Sequence, residues 1–473
     1  MANYLYLQVA QQLETQITNG TYRAGEKMPS IRHIHEEQGV SISTVLEAYH
    51  YLEDKGLIVA QEKSGYYVRR QKKAKDVLPS QVASSLTPQT IDIDSLLESI
   101  MQERFLKEVV SFSRAIPGEQ LIPQKILKRT MQEVLRSDVA SVMNYTPLQG
   151  DELLRTEIAK RSMPWSGTLR ASDICITSGC LEAIHLALRA VTQQGDIVAV
   201  ESPCYYGFLE AIQGLRLQTI EIPSHASTGI DLDFLEKACQ SYPIKACLVT
   251  PNFSNPTGSV MPDAHKKALV HLASRYRIPV IEDDIYGDLF FQGSRPLSLK
   301  TYDTEGRVMV CSSFSKTLAP GFRVGWVAGG SYQKQIERLK FMTNIATASV
   351  VQSVIARVME AGSFERHLKR MRSRLMVQMT EVQVAVDAYF PEGTHVSQPR
   401  GGYVLWIELP QKVSSMELYK KAIGQGIGFT PGHLFSSGDT HAHFLRLSCG
   451  NAWTSHTHEA LRKLGNLAKA MMP

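Results

Sequence analysis

Ser312-Ser313-Phe314-Ser315-Lys316-Thr317-Leu318-Ala319-Pro320-Gly321-Phe322-Arg323-Val324-Gly325-Trp326 sets one lysine among hydroxyl side chains and follows it, seven residues on, with an arginine in a segment bent by proline and glycine. The lysine offers an amine for imine formation with an aldehyde, and the hydroxyls and guanidinium offer donors for a phosphate. Pyridoxal phosphate requires both. A lone Ser-Lys pair would carry no such meaning, because most lysines are solvated surface charges. Here the flanks are apolar and the arginine is close, so a cofactor lysine is expected.

Such a site needs further parts, and the chain supplies candidates upstream. The protonated pyridine nitrogen calls for a carboxylate, and Ile281-Glu282-Asp283-Asp284-Ile285-Tyr286 ends an apolar run in acids, with a tyrosine three residues beyond Asp283. The phenolic oxygen calls for a donor, and Asn255-Pro256-Thr257-Gly258 is a turn whose asparagine amide can donate. The phosphate calls for free amides, and Thr177-Ser178-Gly179-Cys180-Leu181 passes from a strand into a helix predicted to begin near Glu182. Singly, each has an ordinary reading as a turn, a solvated acid or a helix cap. Around them, helical patterns alternate with short apolar runs at 174–177, 197–202, 246–250, 279–283 and 308–312, which predicts a parallel α/β sheet with covering helices. Runs at 402–407 and 444–448 predict a smaller α+β lobe.

Taken together and in this order, these motifs resemble the fold-type I pyridoxal phosphate enzymes of the class I/II aminotransferases, over roughly residues 110–470. The resemblance implies Lys316 as the catalytic lysine in the internal aldimine, Asp283 at the pyridine nitrogen, and Asn255 and Tyr286 at the phenolic oxygen. It implies Tyr205 stacked on the ring, and the amides of Cys180 and Leu181 with Ser313, Ser315 and Arg323 on the phosphate. Tyr145 resembles the tyrosine that reaches the phosphate of a neighbouring subunit, and Arg446 the arginine that pairs with a substrate carboxylate. Two departures stand out. Cys180 and Leu181 replace the family's usual serine and glutamine, and Ala115 replaces a flexible glycine in Phe112-Ser113-Arg114-Ala115-Ile116-Pro117.

The amino-terminal 70 residues read differently. Helical spacing over 5–19, 30–37 and 43–55, each closed by glycine, is followed by short β runs at 57–61 and 66–69 joined by a turn at 63–65. Three helices and a hairpin describe a winged helix-turn-helix with 43–55 as recognition helix. Gly25-Glu26-Lys27-Met28-Pro29-Ser30-Ile31-Arg32, Gly39-Val40-Ser41-Ile42-Ser43-Thr44-Val45 and Ser64-Gly65 make this unit similar to the GntR-family DNA-binding domain. The resemblance implies Ser30, Arg32, Ser41, Ser43 and Thr44 at phosphates or base edges of a double-stranded operator, with Gly65 in the minor groove. It breaks at Ile42, where the family carries an arginine able to read guanine. Charge gives little help: residues 1–68 hold five basic side chains against eight acidic ones, and the five positive charges of 69–75 reverse the balance.

The chain is 473 residues long, with 43% hydrophobic and 21% charged residues and a formal charge of +5, the profile of globular protein in two or three domains. No apolar run approaches the ~20 residues that span a bilayer, no export signal opens the sequence, and seven scattered cysteines predict reduced thiols rather than disulfides or a metal site. A cytoplasmic protein is expected. The boundaries are read as 1–70 for the winged helix, 71–91 for a flexible linker and 92–473 for the cofactor domain. Within the last, a large domain is expected over about 135–340 and a small lobe over 92–134 and 341–473. The whole resembles the MocR subfamily of GntR-type regulators. That implies a head-to-tail homodimer sensing an amino compound by aldimine exchange at Lys316. The alternative is an active aminotransferase with a secondary DNA-binding module.

Overall fold

A computed structural model describes residues 5–23, 25–61, 65–68, 78–91, 109–137 and 139–472. The first two residues of the expected 63–65 turn, the basic run 69–75 and the expected start of the cofactor domain at 92–108 lie outside the described residues.

The amino-terminal unit has helices Leu5–Thr18, Ile31–Gln38 and Ile42–Asp54, then an antiparallel hairpin of Ile58–Gln61 and Gly65–Val68. Its fold follows from local chemistry. Ser30 and Ser41 cap their helices by accepting the amides of His33 and Thr44 at 3.1 Å. Val9, Leu13, Ile34, Val45, Ala48, Tyr49 and Leu52 close one core, and the buried Tyr49 hydroxyl donates to Pro29 O at 2.7 Å, tying the third helix to the start of the second.

The carboxy-terminal unit is built on an eight-stranded sheet in the spatial order Ile174–Thr177, Gly325–Ala328, Val308–Ser313, Val280–Asp283, Ile244–Val249, Ile197–Ser202, Gln218–His225, Gly229–Ile230. Alternate residues of its strands enter opposite cores. Ile174, Ile176, Val249, Val280 and Val308 pack on one side, and Cys175, Val198, Leu248, Ile281 and Met309 on the other. Burial on both faces explains the near-continuous apolar runs. The expectation of a parallel sheet needs one correction: Gly325–Ala328 is antiparallel to both neighbours, as is Gly229–Ile230 to its own. The Lys316 segment reverses the chain directly after Val308–Ser313, with no crossover helix to restore direction. The smaller lobe carries an antiparallel sheet of His395–Val396, Val404–Glu408, Phe444–Ser448 and Thr430–Pro431. Val110–Ser111 pairs in parallel with Ile427–Gly428 as a separate two-stranded sheet.

The expected flexible linker needs a second correction, because its described part is fastened. Ser80 donates its amide (2.8 Å) and its hydroxyl (2.7 Å) to the two oxygens of Glu408. Gln89 exchanges both backbone bonds with Thr219 at 2.9 and 3.0 Å, and Ile91 is buried. His395 and His443 face the same carboxylate at 3.1 and 3.5 Å. Burial disfavours its charge, but hydrogen bonds from His443, Ser80 and His395 outweigh this and lower Glu408 from 4.5 to about 2. A lowered folded-state pKa stabilises above the ordinary value, and that contribution is lost as pH falls from about 4.5 toward 2. Glu408→Gln should mimic the acid state at neutral pH. Hydrogen exchange of residues 78–91 is expected to quicken about tenfold or more, since a bond to a charged group contributes roughly 1.5–3 kcal/mol. Unchanged protection would show that Glu408 does not hold the segment.

Candidate functional site

The carboxyl ends of the central strands open into a cavity of about 290 Å³ between the sheet and the smaller lobe, with Lys316, Asp283, Asn255, Tyr286, Tyr205, Cys180, Leu181, Ser313, Ser315, Arg323 and Arg446 all on its wall. Open α/β sheets place ligands at this end. Strand geometry selects among the acids. Asp283 faces the cavity, while Glu282 accepts Ser298 Oγ (2.6 Å) and Leu299 N (3.2 Å) on the other side. Asp284 turns to Arg295 and to Asn252 Nδ2 at 3.0 Å.

Lys316 and Asp283 are tuned by their surroundings. Burial, then the nearby Arg446 charge, lowers the Lys316 amine from 10.5 to about 8, which leaves an appreciable neutral, nucleophilic fraction near neutral pH. Lys316 Nζ donates to Ala115 O at 2.5 Å, and the same carbonyl accepts the Tyr403 hydroxyl at 3.2 Å. Burial raises the Asp283 carboxyl from 3.8 to about 7, against the Cys180 thiol at 3.4 Å and the Ile285 amide at 3.0 Å. A cation beside Asp283 would reverse that shift.

At the other end of the cavity the backbone forms an anion cradle. Helix Cys180–Val191 starts at Gly179, which has φ 97° and no side-chain cap, so its first amides point out as donors. Arg323, itself in the left-handed region at φ 51°, donates to Ser315 Oγ (3.3 Å) and Ser178 O (3.2 Å). A Cβ on Gly179 would lie 2.5 Å from Arg323 Nη2, and one on Gly325 would lie 2.8 Å from Cys180 N. Both glycines therefore keep the cradle open.

Arg446 is 1% exposed. Its guanidinium donates to Ser113 O, to Thr430 Oγ1 (2.7 Å) and to Asn255 Oδ1 (3.3 Å). The bond to Asn255 Oδ1 turns the amide's donor end away from the arginine. No carboxylate pairs with Arg446 among the described residues, and its buried Nε has no hydrogen-bond partner there, while the buried Tyr286 hydroxyl faces that of Tyr403. An amine, a buried carboxylate, an anion cradle and the unpartnered Arg446 Nε around one cavity fit a phosphorylated pyridine aldehyde.

Some residues fall outside this constellation. Tyr145 is 82% exposed and does not line the cavity. In the amino-terminal unit, Ser30, Arg32, Ser41 and Ser43 are exposed, Thr44 is half-buried and Gly65 opens the second hairpin strand at φ 102°. Sequence reasoning missed the Ala115 carbonyl, Tyr403 and the Cys180 thiol as neighbours of Lys316 and Asp283. Their roles depend on approach between distant segments, and no local motif signals it.

Comparisons with known proteins agree with this division. The model for aminotransferase class I and II matches residues 115–464, and that for bacterial regulatory proteins of the gntR family matches residues 5–68. The chain is 37% identical to the uncharacterized HTH-type transcriptional regulator YjiR of Escherichia coli, covering 97% of this chain and 98% of that protein. It is 36% identical to the uncharacterized HTH-type transcriptional regulator YdcR of the same organism, over 98% of each. Among solved structures, a Pyrococcus horikoshii kynurenine aminotransferase matches with TM-score 0.76 at 28% identity, covering 81% of this chain and 96% of that one.

Proposed function

The chain belongs to the aminotransferase class I and II family and carries a GntR-family domain at its amino end, the MocR-type arrangement, and from that premise we propose that it is a pyridoxal phosphate-dependent transcriptional regulator. One observation carries the reading. A cavity that joins Lys316, Asp283, Asn255, Arg323 and Arg446 lies in the same chain as a winged helix with an exposed recognition helix.

Bound there, pyridoxal phosphate would supply an electrophilic carbonyl for amines and a ring that accepts electrons. In this reading Lys316 anchors it, Asp283 holds the protonated ring nitrogen, and Asn255 and Tyr286 face the phenolic oxygen. Tyr205 covers the ring. The amides of Cys180 and Leu181, with Ser313, Ser315 and Arg323, hold the phosphate. Cys180 costs the cradle nothing, because the donors are backbone and its thiol is engaged with Asp283. The ligand is a small amino compound whose amine competes with Lys316 and whose carboxylate pairs with Arg446. The winged helix binds an operator duplex through Arg32 and the start of the recognition helix. The exposed Tyr145 supports a head-to-tail homodimer in which it serves the partner's phosphate site. In this reading the protein acts in the cytoplasm, where operators are.

A ligand can alter DNA binding only by differing in affinity for two arrangements of the molecule. The fastened segment 78–91 lies on the covalent route between the two units. Gel shifts on a genomic fragment, with cofactor-loaded protein and a panel of amino acids, are expected to show one class of amino acid changing affinity about fivefold or more, the usual scale of coupling. The complete set of cavity residues also supports a second reading, a working aminotransferase. Steady turnover of amino and keto acid with DNA affinity unmoved would favour that alternative.

A further inference from the structure

The recognition helix Ile42–Asp54 divides its surface unequally. Val45, Ala48, Tyr49 and Leu52 are buried, while Ile42, Ser43, Leu46, Glu47 and His50 face outward. Ile42 and Leu46 are 50% and 38% exposed. Four residues apart, they are neighbours on one helix face. Among the described residues of this unit, Leu5 is the only other large apolar side chain exposed to this degree. The core is closed without them, so packing does not account for them.

The polar residues around them are committed elsewhere. The Ser41 hydroxyl accepts the Thr44 amide and lies 2.8 Å from the hydroxyls of both Ser43 and Thr44. These three side chains satisfy one another at the cap. Beside those hydroxyls, the leading end of the helix presents the hydrocarbon of Ile42 and Leu46. In the major groove the only apolar feature of a base edge is the thymine C5-methyl group. An isoleucine in the first helical turn can bury that methyl and cannot make the paired hydrogen bonds that select guanine.

We propose that Ile42, backed by Leu46, is a specificity-determining residue that selects thymine in the operator by apolar contact with its methyl group. The proposal rests on the DNA-binding reading above.

The test begins with the unaltered protein and then compares it with two variants at position 42. The full-length chain selects its site from a randomised duplex library, and each thymine of that site is then replaced by deoxyuridine, which removes only the methyl group. At least one replacement is expected to weaken binding about fourfold, the worth of one buried methyl-sized group, and that loss should vanish in Ile42→Ala. Ile42→Arg should move the preference at the same position to guanine. A selected site at which no uracil replacement matters overturns the role of Ile42 and leaves DNA binding standing. Failure to select any site overturns both.

Discussion

Lys316→Ala is expected to abolish stable retention of pyridoxal phosphate. Wild-type protein should keep the cofactor through gel filtration, absorb in the visible and yield, after borohydride reduction, a peptide modified at Lys316. The variant should show none of these and bind the cofactor at least about a hundredfold more weakly, ~2.7 kcal/mol. The sign of the effect on cofactor-free stability separates this from misfolding. Burial lowers the Lys316 amine from 10.5 to about 8, so holding it protonated in the fold opposes folding at pH 7, and that opposition fades as pH rises through 8 toward 10.5. Alanine removes it, and Tyr403 still donates to Ala115 O. The cofactor-free variant should therefore melt no lower than wild type. Lys316→Arg keeps a charge but cannot form the imine, and it should lose the cofactor as alanine does. Retained visible absorbance in either variant would remove Lys316 from its role.

The place of Lys316 on the cavity wall was legible because its motif is local, as were the strands that aim the site. Ile174–Thr177, Ile197–Ser202 and Phe444–Ser448 fall where their apolar runs predict, since burial on both faces leaves an unbroken signal. The acids at the end of Val280–Asp283 were legible as a group, and the resemblance singled out Asp283. Which acid faces the cavity follows from strand direction once the sheet is known. Two things were not legible, for one reason. The antiparallel Gly325–Ala328 depends on how the Lys316 segment turns back, and the fastening of residues 78–91 depends on Glu408, 328 positions from Ser80. Composition read 78–91 as polar and unpatterned, which is accurate. Its hydrogen-bonding partners are supplied by the far end of the chain, and periodicity carries no record of them. The Cys180 thiol on Asp283 is of the same kind, a contact 103 positions apart.

Arg446 carries the second large expectation, one whose two effects have opposite signs. Its guanidinium is buried and bonded to two neutral oxygens of side chains and one carbonyl, with no carboxylate opposite among the described residues. An unpaired buried charge is costly, and an apolar residue of similar volume is often neutral or stabilising in its place. Arg446→Met should accordingly hold or raise the melting temperature of ligand-free protein. A ligand carboxylate meeting the guanidinium bidentately gains bonds worth roughly 1.5–3 kcal/mol each, so the same variant should lose about a hundredfold or more in amino-acid affinity while retaining the cofactor. Arg446→Lys should not restore it, because a point charge lacks the planar fork. The decisive comparison is a cycle of two proteins and two ligands, an amino acid that shifts DNA binding and the amine it becomes on losing its carboxylate. Wild type should prefer the acid strongly. The variant should bind both alike, and as weakly as wild type binds the amine. Should Arg446→Met still discriminate acid from amine, the carboxylate is read elsewhere in the cavity, and the exposed Arg114 on its wall would be the next residue to change.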